Sequence, residues 1–191
     1  NASCNAGTDG NIIVSVTGGT APYIFKVAGV IVTPTLISGT NYTIGNLEAS
    51  SHTITITDQS SCADSITQVI TQPDEINLSL LSFQNLSCFN TGNGAITVGV
   101  TGGTPNYIFT LTGPSTATAQ DNGNGTWTFA SLDAGTYTIS VTDQNNCTSN
   151  PTQISQELTQ PIEIDFTTLP QDISCFGLTD GTITIPNYTT D

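Results

Sequence analysis

Five cysteines, one histidine and a scatter of aspartates carry most of the readable chemistry in this 191-residue sequence. The cysteines keep an interval: Cys4 recurs as Cys88 after 84 positions, Cys62 recurs as Cys147 after 85, and Cys175 opens a further copy. No C-x-x-C pair accompanies them and His52 is the only imidazole, so zinc has no ligand set, and disulfides are the chemistry expected. Pairing within each repeat, Cys4 with Cys62 and Cys88 with Cys147, is the favoured arrangement. Each loop would be about 60 residues long, and a bridge across it is worth ~4 kcal/mol in the chain-entropy model. The alternative stays open. If Cys88 follows the first strand of a sandwich and Cys147 a late one, the two sit at opposite ends, and Cys4 would bridge to Cys147 between repeats.

The remaining reactive residues point away from catalysis. His52 is matched by Tyr137 in the next copy, with no lysine or arginine clustered near it and no histidine in the second repeat, so a packing role is expected and an enzyme is the class least supported. Asp9, Asp58, Asp64, Asp133, Asp143 and Asp180 offer the hard oxygens that suit extracellular Ca²⁺. No dense D-x-D-x-D-G run gathers them, however. The expectation is that aspartates such as Asp58 and Asp143 bond their own turns, with no cofactor required. Trp127 offers a face on which a sugar can stack, but it matches Tyr42 in the first copy, and core packing is favoured.

What must position these residues is a tandem repeat. Gly18-Gly19-Thr20-Ala21-Pro22-Tyr23-Ile24-Phe25 recurs as Gly102-Gly103-Thr104-Pro105-Asn106-Tyr107-Ile108-Phe109, and Thr71-Gln72-Pro73 recurs as Thr159-Gln160-Pro161. The offset drifts from 84 to 88 between these landmarks, which places small insertions in loops. Residues 1–73 form a first repeat without its initial strand, 74–161 a second, and 162–191 the start of a truncated third. The third echoes Ser87-Cys88-Phe89 as Ser174-Cys175-Phe176 but reads Pro186-Asn187-Tyr188 where the Gly-Gly string would come.

Period-two alternation dominates within each copy. Ile12, Val14 and Val16 share one face of a strand, as do Ile96, Val98 and Val100; His52, Ile54 and Ile56 correspond to Tyr137, Ile139 and Val141. Short alternating strands between Gly, Asn, Asp and Pro turns, with no capped 3.6-residue period, predict an all-β chain of tandem immunoglobulin-like β-sandwich repeats joined head to tail. A barrel is the other architecture such strands allow.

Fifteen acidic residues face the single base Lys26, a formal charge of −14 that excludes nucleic-acid binding, whose phosphate contacts need Lys and Arg, and disfavours an anionic membrane surface. No window approaches the ~20 apolar residues of a membrane-spanning helix, so no direct membrane insertion is expected. Only 8% of residues are charged and methionine is absent, a neutral polar surface that suits an extracellular β-protein.

The landmarks together resemble the SprB-type repeat of large Bacteroidota surface adhesins. They are a cysteine before Gly7-Thr8-Asp9-Gly10, the Gly18 to Tyr23 string, Leu132-Asp133-Ala134-Gly135-Thr136-Tyr137, Val141-Thr142-Asp143-Gln144-Asn145-Asn146-Cys147 and the closing Thr-Gln-Pro. Asn106 and Asn93 depart from the pattern, as does the stretch Leu47 to His52. The resemblance implies a cell-surface protein used in adhesion and gliding motility and exported by the type IX route. It also implies O-glycosylation at Asp-Ser/Thr-apolar sites, met here by Asp64-Ser65-Ile66 with Ser65 as acceptor.

The functional expectation is a non-catalytic stalk, with neighbouring repeats of the same chain as partners. Two alternatives remain: a glycan-binding module that recognises surface sugars, and a subunit that polymerises with like chains.

Overall fold

The computed structural model describes residues 1–166, 168–172, 174 and 176–184. Two bodies of strands follow one another along the chain. The first contains β1 (Gly10–Ser15), β2 (Ile24–Val27), β3 (Val30–Val32), β4 (Thr35–Ser38), β5 (Asn41–Leu47), β6 (Ser51–Thr57) and β7 (Ala63–Val69). The second contains β8 (Asn77–Gln84), β9 (Gly94–Thr101), β10 (Ile108–Thr112), β11 (Gln120–Gly123), β12 (Thr126–Leu132), β13 (Gly135–Thr142) and β14 (Ile154–Leu158). A hairpin of β15 (Leu169–Gln171) and β16 (Thr182–Thr184) follows, and the described residues contain no helix. Cys175 and Pro186-Asn187-Tyr188, singled out in the third copy, lie outside the described residues.

In the second unit, β11-β12-β9-β8 form one antiparallel sheet and β10-β13-β14 the other. Counted within the unit, strands one, two, five and four pair on one side and three, six and seven on the other. That is the constant-type immunoglobulin order, which makes the unit a sandwich and disposes of the barrel. The first unit has the sheets β1-β5-β4 and β3-β2-β6-β7. Its β1 corresponds to β9, and no described strand lies on the outer side of β1 where β8 pairs with β9. It adds β3 instead, through a two-residue turn in which Ala28 and Gly29 have φ of 48° and 83°, the left-handed pair that a tight hairpin demands.

Each unit buries its own alternating faces. Ile96, Val98, Phe129, Tyr137, Ile139 and Val141 interdigitate in the second core. Ile12, Val14, Phe25, Ile44, Ile54 and Ile70 do so in the first. The buried residues are those the two-residue period put on one face, because side chains at i and i+2 point the same way from a strand. The clusters are separate, so each unit has its own core.

Candidate functional site at the junction of the units

The chain segment between the units is built from the top of one sandwich and the bottom of the other. In the second unit, β13 ends at Thr142, and Asp143 turns the chain toward Cys147. The Asp143 carboxylate is fully buried. One oxygen accepts from the backbone N–H groups of Asn145 (2.8 Å) and Cys147 (2.9 Å), and the other from Thr104 N–H (2.9 Å). Asp143 N–H closes the turn on the Cys147 carbonyl at 3.1 Å. This cradle fixes the direction of Cys147 and ties it to the Gly102-Gly103 corner, where Tyr107 donates its hydroxyl proton to the Gly102 carbonyl. Burial, reinforced by the Asp143 charge, raises the Tyr107 pKa above its ordinary value.

The first unit repeats the cradle. Asp58 accepts from Thr20 N–H at 3.0 Å and from Ser60 and Cys62 N–H at 2.9 Å each. Tyr23 donates to the Gly18 carbonyl at 2.7 Å. The N–H groups of Thr20 first, then Cys62 and Ser60, stabilise the charged carboxylate and lower the Asp58 pKa.

The opposite end of each unit carries a cysteine turn. Gly7 N–H reaches the Cys4 carbonyl (3.1 Å), Ser3 N–H reaches Asp9 Oδ1 (2.9 Å) and Ala6 N–H reaches the Gln72 side chain (2.8 Å). The Ser3 hydroxyl and backbone N–H bonds lower the Asp9 pKa. The second unit matches this with Ser87 N–H to Asn93 Oδ1 (3.1 Å) and Asn90 N–H to Gln160 Oε1 (2.9 Å). In the third copy Ser174 N–H meets Asp180 Oδ1 at 3.2 Å. The glutamine of each Thr-Gln-Pro string therefore binds the cysteine turn to the linker that leaves the unit.

The two ends meet in a disulfide between Cys4 and Cys147, with 5.6 Å between their Cα atoms. This corrects the favoured expectation of Cys4–Cys62 and Cys88–Cys147 pairing, since Cys62 and Cys88 are free and exposed. The reason is strand direction. β8 starts at the junction and runs eight residues away from it, roughly 26 Å at the rise of an extended strand. Cys88 therefore ends far beyond the ~7 Å that a bridge to Cys147 allows.

The linker is packed as well as stapled. Gly103 N–H donates to the Asp74 carbonyl (2.9 Å) and Asn150 N–H to the Ile76 carbonyl (2.7 Å). The Asn150 amide reaches Glu75 Oε1 at 3.0 Å, and the Asn145 amide reaches the Ser3 carbonyl at 3.1 Å. Ile76 is 2% exposed, within the second core. Gly102 has φ of 76°, and a Cβ there would stand 1.9 Å from the Glu75 carbonyl oxygen. Only glycine can take that backbone conformation while the linker lies against it. A cleft of about 460 Å³ borders the joint, lined by Cys4, Pro73, Glu75, Asp143 and Asn150 among others.

The other candidates fall into structural places. His52 Nε2 lies 2.9 Å from the Glu48 carbonyl, so the ring donates there. Trp127 is half-buried, its ring centroid 5.3 Å from Tyr107 and 5.2 Å from Phe109, and it packs against the second core. Asp64 accepts from Ser65 N–H at 2.8 Å, on the exposed strand β7. Among the described residues no group of three or more His, Cys, Asp or Glu is placed to hold a metal ion.

Asn150 was not singled out from sequence, though a signal existed. The offset between the copies grows from 85 at Cys147 to 88 at Thr159, and the inserted residues are the loop that grips the linker.

Residues 1–27 and 80–116 match the SprB repeat family. No curated protein matches it. Among solved structures it is similar to the N-terminal eight Ig domains of Down Syndrome Cell Adhesion Molecule, at 12% identity and a TM-score of 0.41, over 87% of this chain and 24% of that one. The Clostridium thermocellum CbhA fibronectin(III)-like modules align at 13% identity and 0.33, over 81% of this chain and 87% of that one. Invasin, a bacterial integrin-binding protein, aligns at 18% identity and 0.35, over 96% of this chain and 43% of that one.

Proposed function

We propose that this chain, two segments of which match the SprB repeat family, is a non-catalytic segment of an extracellular stalk that holds an adhesive element of a cell-surface protein away from the cell. The observation that carries this reading is the joint between Cys4 and Cys147. A disulfide, a buried Ile76 and four hydrogen bonds from Gly103, Asn145 and Asn150 remove the freedom that a bare linker would have. A chain of stiff joints transmits reach and force, whereas a string of loosely tethered units coils.

The surface area supports the same reading. The chain exposes 12319 Å², whereas a single globule of 19.8 kDa exposes about 8,600 Å². The excess fits small units strung one after another. Surface adhesion, including the traction used in gliding, is the task such a stalk serves, with neighbouring repeats as its immediate partners. Disulfides persist in oxidising compartments, in keeping with an extracellular location.

Small-angle scattering tests the stalk. Proteins carrying two, four and six of these repeats should show a maximum dimension that rises almost linearly with repeat number. Reduction of the bridges should broaden the distance distribution. A compact profile that grows only as the cube root of mass overturns the stalk.

A further inference from the structure

The first unit leaves open a side of its sandwich that the second unit covers. β3 is an edge of the sheet β3-β2-β6-β7 and β4 an edge of the sheet β1-β5-β4, with only Thr33 and Pro34 between them, and among the described residues no strand lies beyond either edge. Val30, Ile31, Leu36 and Ile37 on these strands are between 53% and 68% exposed. The register explains it. Val30 and Val32 pair with Val27 and Phe25, and Leu36 pairs with Tyr42, so these aliphatic side chains share the faces that build the first core and run out at its open side. In the second unit the segment between β10 and β11 lies over that side, with Ala117 and Ala119 packed against the core.

The open side is also where this acidic chain is least acidic. Residues 10–47 contain Lys26 and no aspartate or glutamate, a net charge of +1 that leaves −15 on the rest of the −14 chain. Elsewhere a second copy would bring acid toward acid; here it does not. β1 and β7 are the opposite edges of the two sheets, so a strand added beside β1 leaves the β3–β4 side as it is.

β3 also carries its own pairing rule. In a two-residue hairpin the residues flanking the turn, here Val27 and Val30, exchange their backbone bonds, and the next pair, Lys26 and Ile31, does not. The N–H and C=O of Ile31 therefore point away from β2, toward the open edge.

We propose that the β3–β4 side of the first unit is a homotypic contact, in which β3 of a second copy of this chain pairs antiparallel with it across a twofold axis at Ile31. Each Ile31 donates its N–H to the carbonyl of the other, Val30 stands opposite Val32, and Leu36 and Ile37 of each copy border the joined strands. Such a contact is isologous and closes on itself. The two Lys26 side chains stand three strand spacings apart, roughly 14 Å. That exceeds the screening length of ~8 Å at physiological salt, so their repulsion does not oppose the pairing. β3 is three residues long and Pro34 follows it closely, which keeps the ladder short. A single contact is accordingly weak, and it gains strength where many copies are held together, as stalks side by side on one surface are.

The pairing goes beyond the stalk reading: scattering on dilute protein reads whether the units are strung out, and association reads whether the copies pair, so either can fail alone. The full chain, its free thiols blocked with N-ethylmaleimide, is examined by sedimentation equilibrium between about 10 µM and about 1 mM. Its weight-average mass should rise with concentration toward that of a dimer. Ile31→Lys and Ile31→Glu each set like charges opposite one another at the twofold axis, and each should weaken association at least about tenfold. Mixed in equal amounts, the two variants set opposite charges there and should recover to within about threefold of the parent. Ile108→Lys, at an aliphatic position 59% exposed in the second unit, should leave association unchanged. A parent that stays monomeric over the whole range, a mixture no stronger than either variant alone, or an equal loss from Ile108→Lys overturns the proposal.

Discussion

His52 and Tyr137 stand at the same place in the two units and make the same bond with different chemistry. The His52 ring lies 2.9 Å from the carbonyl of Glu48, and the Tyr137 hydroxyl lies 3.1 Å from the carbonyl of Asp133, each four residues back. The arrangement is that of a tyrosine corner, in which an aromatic side chain on the sixth strand ties down the turn before it. A second polar neighbour completes each site: Ser50 Oγ at 3.0 Å from His52 and Ser115 Oγ at 2.6 Å from Tyr137. Tyr137→Phe keeps the ring and removes both bonds from a fully buried site. The second unit should lose about 1–3 kcal/mol, read by urea denaturation with Trp127 fluorescence, since the only tryptophan reports on that unit alone. An unchanged midpoint would show that the corner does no holding.

The Cys4–Cys147 bridge couples two units whose cores are separate. Cys4→Ser should therefore lower stability by about 2–4 kcal/mol and also split the unfolding. In the oxidised parent the transitions followed by Trp127 fluorescence and by far-ultraviolet circular dichroism should coincide. In the variant the dichroism should acquire a second step from the first unit, which contains no tryptophan. Coincident transitions in the variant would mean that the packed linker alone couples the units.

The strands and the sandwich were legible in the sequence because a two-residue period is a local property. Ile96, Val98 and Val100 announce a buried face without reference to anything distant. The pairing of the cysteines was half legible: strand ends raised Cys4–Cys147 as the alternative that the structure bears out, but choosing it depends on which end of a sandwich each strand reaches. The direction of β8 separates Cys88 from Cys147, and strand direction is fixed only by the complete topology. The Gly-Gly corner was half legible. Two consecutive glycines signal positive φ in either copy, but that Glu75 lies against Gly102 and nothing lies against Gly18 depends on the neighbouring unit. Asp143 was readable as a turn residue, though its burial at 0% exposure was not.

The two corner glycines give a paired prediction. Both have positive φ, 79° at Gly18 and 76° at Gly102, so alanine at either carries the left-handed backbone cost of about 1–2 kcal/mol. Only at Gly102 does the new methyl also run into the linker backbone. Gly102→Ala should exceed Gly18→Ala by at least about 1 kcal/mol, and differential scanning calorimetry of the two variants reads the difference. Equal losses would place the linker away from the corner.

The Asp58 cradle sets the acid limb of the first unit. Its carboxyl titrates below the ordinary aspartate value in the folded chain because Thr20, Cys62 and Ser60 N–H groups favour the charged form, and it returns to that value on unfolding. Above that value the carboxylate is ionised in both states, and the three bonds stabilise the fold in full. As pH falls below about 4, the unfolded chain takes up the proton first, and the contribution drains away until the folded carboxyl is also protonated. Asp58→Asn removes the charge, so the variant should be less stable than the parent at pH 6 and the gap should close as the pH approaches 2. Asp9, whose pKa is likewise lowered by Ser3, is common to both proteins and leaves the difference untouched. Denaturation of the first unit, followed by amide resonances across that range, measures the gap. A gap that stays constant to the acid end would show that the carboxylate charge contributes nothing to holding the Cys62 turn.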